Sequence, residues 1–379
     1  MSTENKIFCT APFATMRIED LGHGIVYKPG CVYRPIGKID SLNEFLNGQE
    51  MADHRNNLCN GTVPGIACKT CQGSEKLGLT SIRMHLNKKP YFSDKLDIKL
   101  LDVFFGNTCN LNCFMCSHET SSSLGQERTI LKFIDKPAPY VDNTQFALEA
   151  MDELPSLEQI DFTGGEFFLF ENNILLLDKV IEKNLTCRIV TNATILTPAL
   201  LDRLTKVKNL ELEFSVDGVG ASYEFMRYPG KWEETRKNIL TLKDNLPNAK
   251  MKFVYVMQPL NIQQTVDALE VFNTFKFKTF FLDLAAPKHL SWGIITETEK
   301  DDVTMFLRPQ MKTAKITNSQ KLEIENFIKG MYNATYSPDL RTKAVDFLKK
   351  TLTHRKVSHA AIQNHLGIFK QLTNELTKD

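Results

Sequence analysis

The chain has 379 residues, 42% of them hydrophobic and 24% charged, with a net charge of +1. That is material for a large core with the composition of an ordinary globular protein. The charge balance gives no global pull toward nucleic acid or an anionic surface, and no apolar run approaches the roughly 20 residues that span a bilayer, so no membrane association is expected.

The first six residues, Met1-Ser-Thr-Glu-Asn-Lys6, are polar and lack the apolar segment of a secretory signal. The nine cysteines are therefore read in a reducing, cytoplasmic setting. There, clustered Cys points to metal or redox chemistry rather than disulfides. Residues 1–95 hold Cys9, Cys31, Cys59, Cys68 and Cys71 among scattered Gly and Pro. The segment reads as a small, irregular domain in which a metal supplies what the core lacks.

From 96 to 290 the pattern becomes β/α. Strands are expected at Ile98–Phe105, Gln159–Thr163, Cys187–Asn192, Leu210–Val216, Lys252–Met257 and Thr279–Leu284, all rich in the residues of strands buried on both faces. Helices are expected after the cap Thr197 with Pro198 in its first turn, over Trp232–Asn245, and over Ile262–Phe275. Six consecutive units predict a parallel α/β sheet, open or curved as a partial (β/α)6 TIM-like barrel. In either form the reactive groups belong at the C-terminal strand ends. Residues 291–379 read as a helical C-terminal region. Its basic tail, with Lys349-Lys350 and Arg355-Lys356, reads as a solvated helix pair or, in a sharper version, as a docking surface for an acidic partner.

Three strand ends carry chemistry. Cys109-Asn-Leu-Asn-Cys113-Phe-Met-Cys116 follows the first strand and is one thiolate short of a closed four-thiolate site. A structural zinc with a borrowed fourth ligand is the bland alternative. Gly164-Gly165-Glu166 follows the second strand, either as a tight turn or as exposed backbone that grips a ligand's ammonium. Ser215-Val-Asp217-Gly218 ends the fourth. Ser215 and Asp217 share one side of an extended chain and could bind a ribose diol, or form an Asx-type turn. Arg227 could fork onto a carboxylate or be a structural Arg.

In this order the motifs, with the strand end Thr191-Asn192, resemble the radical S-adenosylmethionine (SAM) superfamily over about 99–290. The resemblance implies that Cys109, Cys113 and Cys116 bind a [4Fe–4S] cluster and that SAM chelates the open iron. It further implies Gly164, Gly165 and Glu166 at the SAM ammonium and Ser215 and Asp217 near the ribose, with Asn192 also at the cofactor. Arg227 would lie near the methionyl carboxylate and Met115 against adenine. Two positions depart from the family: Met115 is often aromatic, and Phe167 is often Pro. The implied activity is reductive cleavage of SAM to a 5′-deoxyadenosyl radical that abstracts hydrogen from a substrate, with a one-electron reductant such as flavodoxin or ferredoxin as partner.

Cys9, Cys31 and the pair Cys68-Lys-Thr-Cys71 make a second set of four thiols, sufficient for one closed cluster or a zinc ribbon. The set resembles the auxiliary-cluster domains called SPASM or twitch, here N-terminal as in phage-type members, which also share Arg55, Glu75, Gly78, Ser81 and Arg83. This implies a second [4Fe–4S] cluster and favours a peptide substrate. Cys59 is a substitute ligand or a free thiol, and Cys187 reads as a small core residue. His289 and Tyr255, near strand ends, are candidate hydrogen donors or bases, or packing residues. Two other functions stay open: modification of a nucleotide or nucleic acid, and a non-catalytic zinc-binding interaction module.

Overall fold

Eight strands form the framework: β1 Thr15–Glu19, β2 Val26–Lys28, β3 Leu100–Phe104, β4 Gln159–Thr163, β5 Thr186–Thr191, β6 Asn209–Ser215, β7 Lys250–Met257 and β8 Lys278–Asp283. They belong to a computed structural model whose described residues are 9–31, 39–62, 66–76, 81–89, 93–284 and 287–378. The six strands from β3 to β8 alternate with helices and start and stop within one or two residues of the expected positions, giving the mixed α/β class. β1 and β2 were not expected, because three to five residues of mixed polarity leave little periodic signal.

The chain divides into two compact units: Met1–Thr108 with Pro139–Val190 and Thr197–Glu211, and Cys109–Ala138 with Thr191–Leu196 and Leu212–Asp379. In the first, strand neighbours run β2-β1-β3-β4-β5, with β1–β2 antiparallel and the others parallel. The apolar residues of β3 and β4, such as Leu101, Val103, Ile160 and Phe162, are buried. Registered across four strands lies a charged row, Arg17–Asp102–Asp161–Arg188. Arg17 reaches Asp102 at 2.5 Å and Arg188 reaches Asp161 at 2.8 Å, so each inner carboxylate has an outer guanidinium. Burial nonetheless holds the Asp161 carboxyl above its usual range, against the pull of Arg188.

The second unit contains β7 parallel to β8 and the helices Glu297–Thr313, Asn318–Asn333, Pro338–His354, His359–Leu366 and Lys370–Thr377. Thr296 and Glu299 form a capping box. Glu299 also pairs with Arg341 at 2.9 Å, tying the start of one helix to the start of another. Among the described residues no helix is long and apolar enough to cross a membrane.

The basic tail is not uniformly solvated. Lys350 is exposed and pairs with Asp346, but Arg355 is buried. His365 is buried too, stacked 3.9 Å from the Phe225 ring, with Nε2 2.6 Å from the Leu260 carbonyl. Burial lowers its pKa to about 4. The unfolded chain, titrating near 6.5, then binds more protons between those values, so stability falls as pH drops from about 6.5 toward about 4. The loss from this side chain approaches about 3 kcal/mol. Acid denaturation followed by circular dichroism should show a shallower slope in that window for His365→Gln than for the natural chain; equal slopes would contradict the assignment.

Candidate functional site

The thiol loop is held from three directions within the second unit. Ser121 and Ser122 begin the helix Ser122–Ile130. Ser122 Oγ accepts from the Cys109 N–H at 3.2 Å, and Ser121 Oγ donates to the Leu111 carbonyl at 2.9 Å. On a second side, Asn112 N–H donates to the Tyr228 carbonyl at 2.6 Å and Phe114 N–H to the Met226 carbonyl at 3.3 Å. On the third, Arg355 Nη2 donates to the Asn112 carbonyl at 2.5 Å, while its Nε and Nη2 grip both oxygens of Glu127 at 2.8 Å. The three thiols thus sit on a loop whose backbone is fixed before any ligand arrives.

Cys113 is buried and Cys109 and Cys116 are half-buried. Burial pushes the Cys113 thiol far up, the nearby Arg227 charge opposes this, and the fields of Cys116 and Cys109 add to the rise. A cation beside a buried thiol is what a thiolate ligand needs. Arg227 Nη1 lies 3.6 Å from Cys113 Sγ and Nη2 lies 2.5 Å from Asp217 Oδ2. Asp217 Oδ1 accepts from the Val256 N–H at 2.7 Å. Asp217 is completely buried, and these contacts place it as the group that orients Arg227. The buried Nε of Arg227 has no partner among the described residues, so the guanidinium keeps a donor for an anionic group. Asn192 Nδ2 is 3.1 Å from Asn110 Oδ1 and 4.0 Å from Cys109 Sγ. Ser215 is the half-buried last residue of β6, and Met115 is half-buried in the thiol loop.

The Gly-Gly-Glu turn belongs to the first unit, where it lies against residues 106–108, the chain immediately before Cys109. Gly165 N–H donates to the Gly106 carbonyl at 2.8 Å and Glu166 N–H to the Thr108 carbonyl at 2.7 Å. Any side chain is excluded: a Cβ on Gly165 would come 2.2 Å from the Thr108 oxygen, and one on Gly164, whose φ is +140°, 2.5 Å from the Gly106 oxygen. Glu166 is buried and accepts from the Phe168 N–H at 2.9 Å. Phe167 stacks on Phe162 at 4.7 Å, which accounts for an aromatic residue at that position.

The N-terminal thiols also come together. Cys31 donates its S–H to Cys9, which lowers the Cys9 pKa and pushes Cys31 well up, with burial and the fields of Cys9, Cys68 and Cys71 adding to the rise. Burial takes Cys68 to about 11. Cys9 and Cys31 pack with Leu58, Ile82 and Leu86. Glu75 is gripped by Ser81 and Arg83, and the Arg83 charge is felt at Cys9. Arg55 is buried, donating to the carbonyls of Pro12, Phe45 and Leu46 at 2.7–2.9 Å. Cys59, at the end of the helix Gln49–Cys59, is exposed; Cys187 is buried mid-strand. Gly78 lies outside the described residues. Tyr255 is a packing residue, fully buried with its hydroxyl 3.1 Å from Thr265 Oγ1.

Among the described residues no three His, Cys, Asp or Glu side chains converge as ligands of one ion. A four-iron cluster presents a separate iron to each thiolate, so its ligands need not converge on a point. The residues around Cys113 fit such a group, with three thiols on one fixed loop beside a buried cation that has a spare donor. Sequence reasoning missed Glu127, Arg128 and Arg355. The available signal was a Glu-Arg pair on the helix directly after the thiol motif.

Several solved structures are similar to this chain. It is similar to SuiB of Streptococcus suis bound to precursor peptide SuiA, at 13% identity, 73% coverage of this chain and 54% of SuiB, and TM-score 0.38. It is similar to anSMEcpe with bound AdoMet at 18% identity, 63% and 61% coverage, and TM-score 0.40. For the methyltransferase TsrM of Kitasatospora setae the values are 12%, 48% and 35%, and 0.35. The chain therefore spans about half the length of SuiB. No curated protein matches it. Residues 103–272 match the family model described as the radical SAM superfamily. That segment carries all three cysteines, the Gly-Gly-Glu turn and Asp217–Arg227, so residues 103–272 are a radical SAM domain, the domain of a family of enzymes that work with a [4Fe–4S] cluster and SAM.

Proposed function

We propose that this protein is a radical SAM enzyme whose thiols Cys109, Cys113 and Cys116 hold the SAM-binding [4Fe–4S] cluster, and that its substrate is a peptide. Held by these three thiols, the group would supply one-electron reductive cleavage of SAM and so hydrogen-atom abstraction from the substrate. The chain's own residues fix the ligands and the field. The observation that carries the reading is the Asp217–Arg227–Cys113 contact set. Asp217, spent on Val256 and Arg227, holds the guanidinium beside the buried thiol, leaving Nε for the methionyl carboxylate of SAM. Gly164 and Gly165 keep side chains out of the turn, and the family resemblance assigns this turn, with Glu166, to the ammonium. Met115 and Asn192 flank the loop for the adenosyl portion, and Ser215 lies at the same strand end as Asp217.

The second half of the reading places an auxiliary [4Fe–4S] cluster on Cys9, Cys31, Cys68 and Cys71. The packing of Cys9 and Cys31 in one cluster supports it, as does the Glu75–Ser81–Arg83 grip, the kind of outer contact that orients ligands. With four thiols that site is closed and does not take SAM. The peptide assignment rests on the resemblance of this thiol set to SPASM and twitch domains, and a one-electron donor such as flavodoxin or ferredoxin completes the system. Residues 1–95, 96–290 and 291–379 serve as the auxiliary, catalytic and supporting segments.

Anaerobically reconstituted protein should hold about eight irons and matching sulfide per chain. With dithionite and SAM it should form 5′-deoxyadenosine. Full iron loading without 5′-deoxyadenosine would refute the catalytic reading, and about two zincs per chain would favour a non-catalytic module.

A further inference from the structure

A cavity of about 480 Å³ in the second unit is lined by Met115 and Cys116 of the thiol loop, together with Arg128, Phe133, His289 and Phe347. Arg128 is only 6% exposed, and among the described residues it has no carboxylate to itself. Both oxygens of the adjacent Glu127 are taken by Arg355 at 2.8 Å. Arg128 approaches that carboxylate only to 3.9 Å. Its hydrogen bond is to a neutral hydroxyl, Nη1 to Thr351 Oγ1 at 3.2 Å. Two buried guanidiniums thus share one buried carboxylate, so positive charge exceeds carboxylate charge here, and the Cys116 thiol is the other group whose field favours the Arg128 cation. Burying such a charge is unfavourable unless something pairs with it. The aromatic faces of Phe347, at 4.2 Å, and Phe133, at 5.6 Å, offset part of that cost. Burial accordingly lowers the Arg128 pKa to about 10, which leaves it charged at neutral pH.

A second group on the cavity wall is also incomplete. His289 Nε2 is buried with no partner among the described residues, and its ring meets Phe347 edge-on at 4.5 Å. Burial and the Arg128 charge hold its pKa below the usual value. In the neutral ring, the tautomer with its proton on Nε2 offers a donor to the cavity. A forked cation and a neutral donor, set among aromatic rings beside a cluster thiol, describe a receptor for a planar monoanion. A single excess charge balances a carboxylate and under-compensates a phosphate dianion.

We propose that this cavity is the substrate's carboxylate subsite: Arg128 pairs with a carboxylate of the substrate, His289 donates to it, and Phe133 and Phe347 pack against the adjoining apolar portion. Calling the ligand a substrate rests on the radical SAM reading; binding of a carboxylate by Arg128 does not. For a peptide the group would be an acidic side chain or the C-terminus. Arg128 and His289 are binding residues here, without a part in the radical step.

The test uses the reconstituted holoenzyme with saturating SAM, titrated calorimetrically with N-acetylphenylalanine, its primary amide, and phenyl phosphate. The acid should bind saturably and at least ten-fold more tightly than the amide, and more tightly than phenyl phosphate. Arg128→Gln should abolish the preference for acid over amide, and Arg128→Lys should keep part of it. Equal affinities for acid and amide, no saturable binding of the acid, or a preference that survives Arg128→Gln in a protein of native melting temperature each overturns the proposal. So does tighter binding of phenyl phosphate, which would make the ligand a phosphate. Loss of acid binding when SAM is added also overturns it, by assigning Arg128 to SAM itself. If Arg128→Gln does not fold, the acid–amide ratio in the natural chain and in Arg128→Lys decides. Measuring 5′-deoxyadenosine in the same samples tells failure of the subsite from failure of the catalytic reading.

Discussion

Cys113→Ala should reduce 5′-deoxyadenosine formation to the level of a protein-free control and lower the iron content from about eight to about four per chain, one four-iron cluster being lost. The expectation follows from geometry as well as motif. Cys113 is the buried thiol of the three, and Arg227 Nη1 stands 3.6 Å from its sulfur. Without the thiolate, the remaining two ligands face a cation with nothing to balance it except Asp217. Cys59→Ala, at an exposed thiol, should leave both iron content and 5′-deoxyadenosine unchanged, as should Cys187→Ala provided the protein stays folded. Iron and sulfide analysis with anaerobic product quantification reads all three variants. A Cys113→Ala protein that keeps its full iron would require a different third protein ligand and would end the proposed site assignment.

What was legible in the sequence follows from how each contact is specified. β3 to β8 were legible because each carries Val, Ile, Leu or Phe in short apolar stretches, as in Leu100–Phe104, where Asp102 alone interrupts the run. The helix after β5 was legible because Thr197 and Pro198 are local signals, and Thr197 Oγ1 does accept from the Leu200 N–H at 3.2 Å. β1 was not, since Thr15-Met-Arg-Ile-Glu19 gains its strand state from pairing with β3, 85 residues away. The three-cysteine spacing and the glycines of the second strand end were readable because each is a local demand: thiols on one loop, and backbone approaches that a Cβ would block. The role of Asp217 was not local. A carboxylate next to Gly reads as a turn or a ligand contact, and only the fold shows it enclosed by Val256 and Arg227. Arg355 was the least legible. In sequence it stands in a basic tail next to Lys356, the usual mark of a solvated face, yet its partner Glu127 lies 228 positions earlier. No periodicity reports a pair at that separation.

That pair gives the second large effect. Glu127→Gln should destabilise the protein by about 3–5 kcal/mol, the usual result of removing one partner from a buried ion pair. The side chains of Arg355 and Glu127 are 1% and 2% exposed, and Arg355 Nη1 is already without a partner among the described residues. The substitution leaves two buried guanidiniums, Arg355 and Arg128, with no carboxylate between them. At a little over about 1 °C per kcal/mol for a chain of this length, the melting temperature should fall by roughly 5 °C. The double variant Glu127→Leu with Arg355→Met removes both charges and should recover most of that loss, because apolar replacements of a buried pair are often neutral or better. It should not recover the positioning of the thiol loop, since the Arg355 hydrogen bond to the Asn112 carbonyl, at 2.5 Å, is gone. Calorimetry and electron paramagnetic resonance of the dithionite-reduced holoenzyme separate the two effects. The double variant should melt near the natural chain yet show an altered cluster spectrum. A Glu127→Gln protein within about 0.5 kcal/mol of the natural one would show that the pair does not carry the load its burial implies. An unchanged spectrum in the double variant would show that the loop does not depend on the C-terminal helices. The region after residue 290, read in sequence as helices with a basic tail, thereby acquires a definite role, since it supplies the cation that holds the backbone between Cys109 and Cys113.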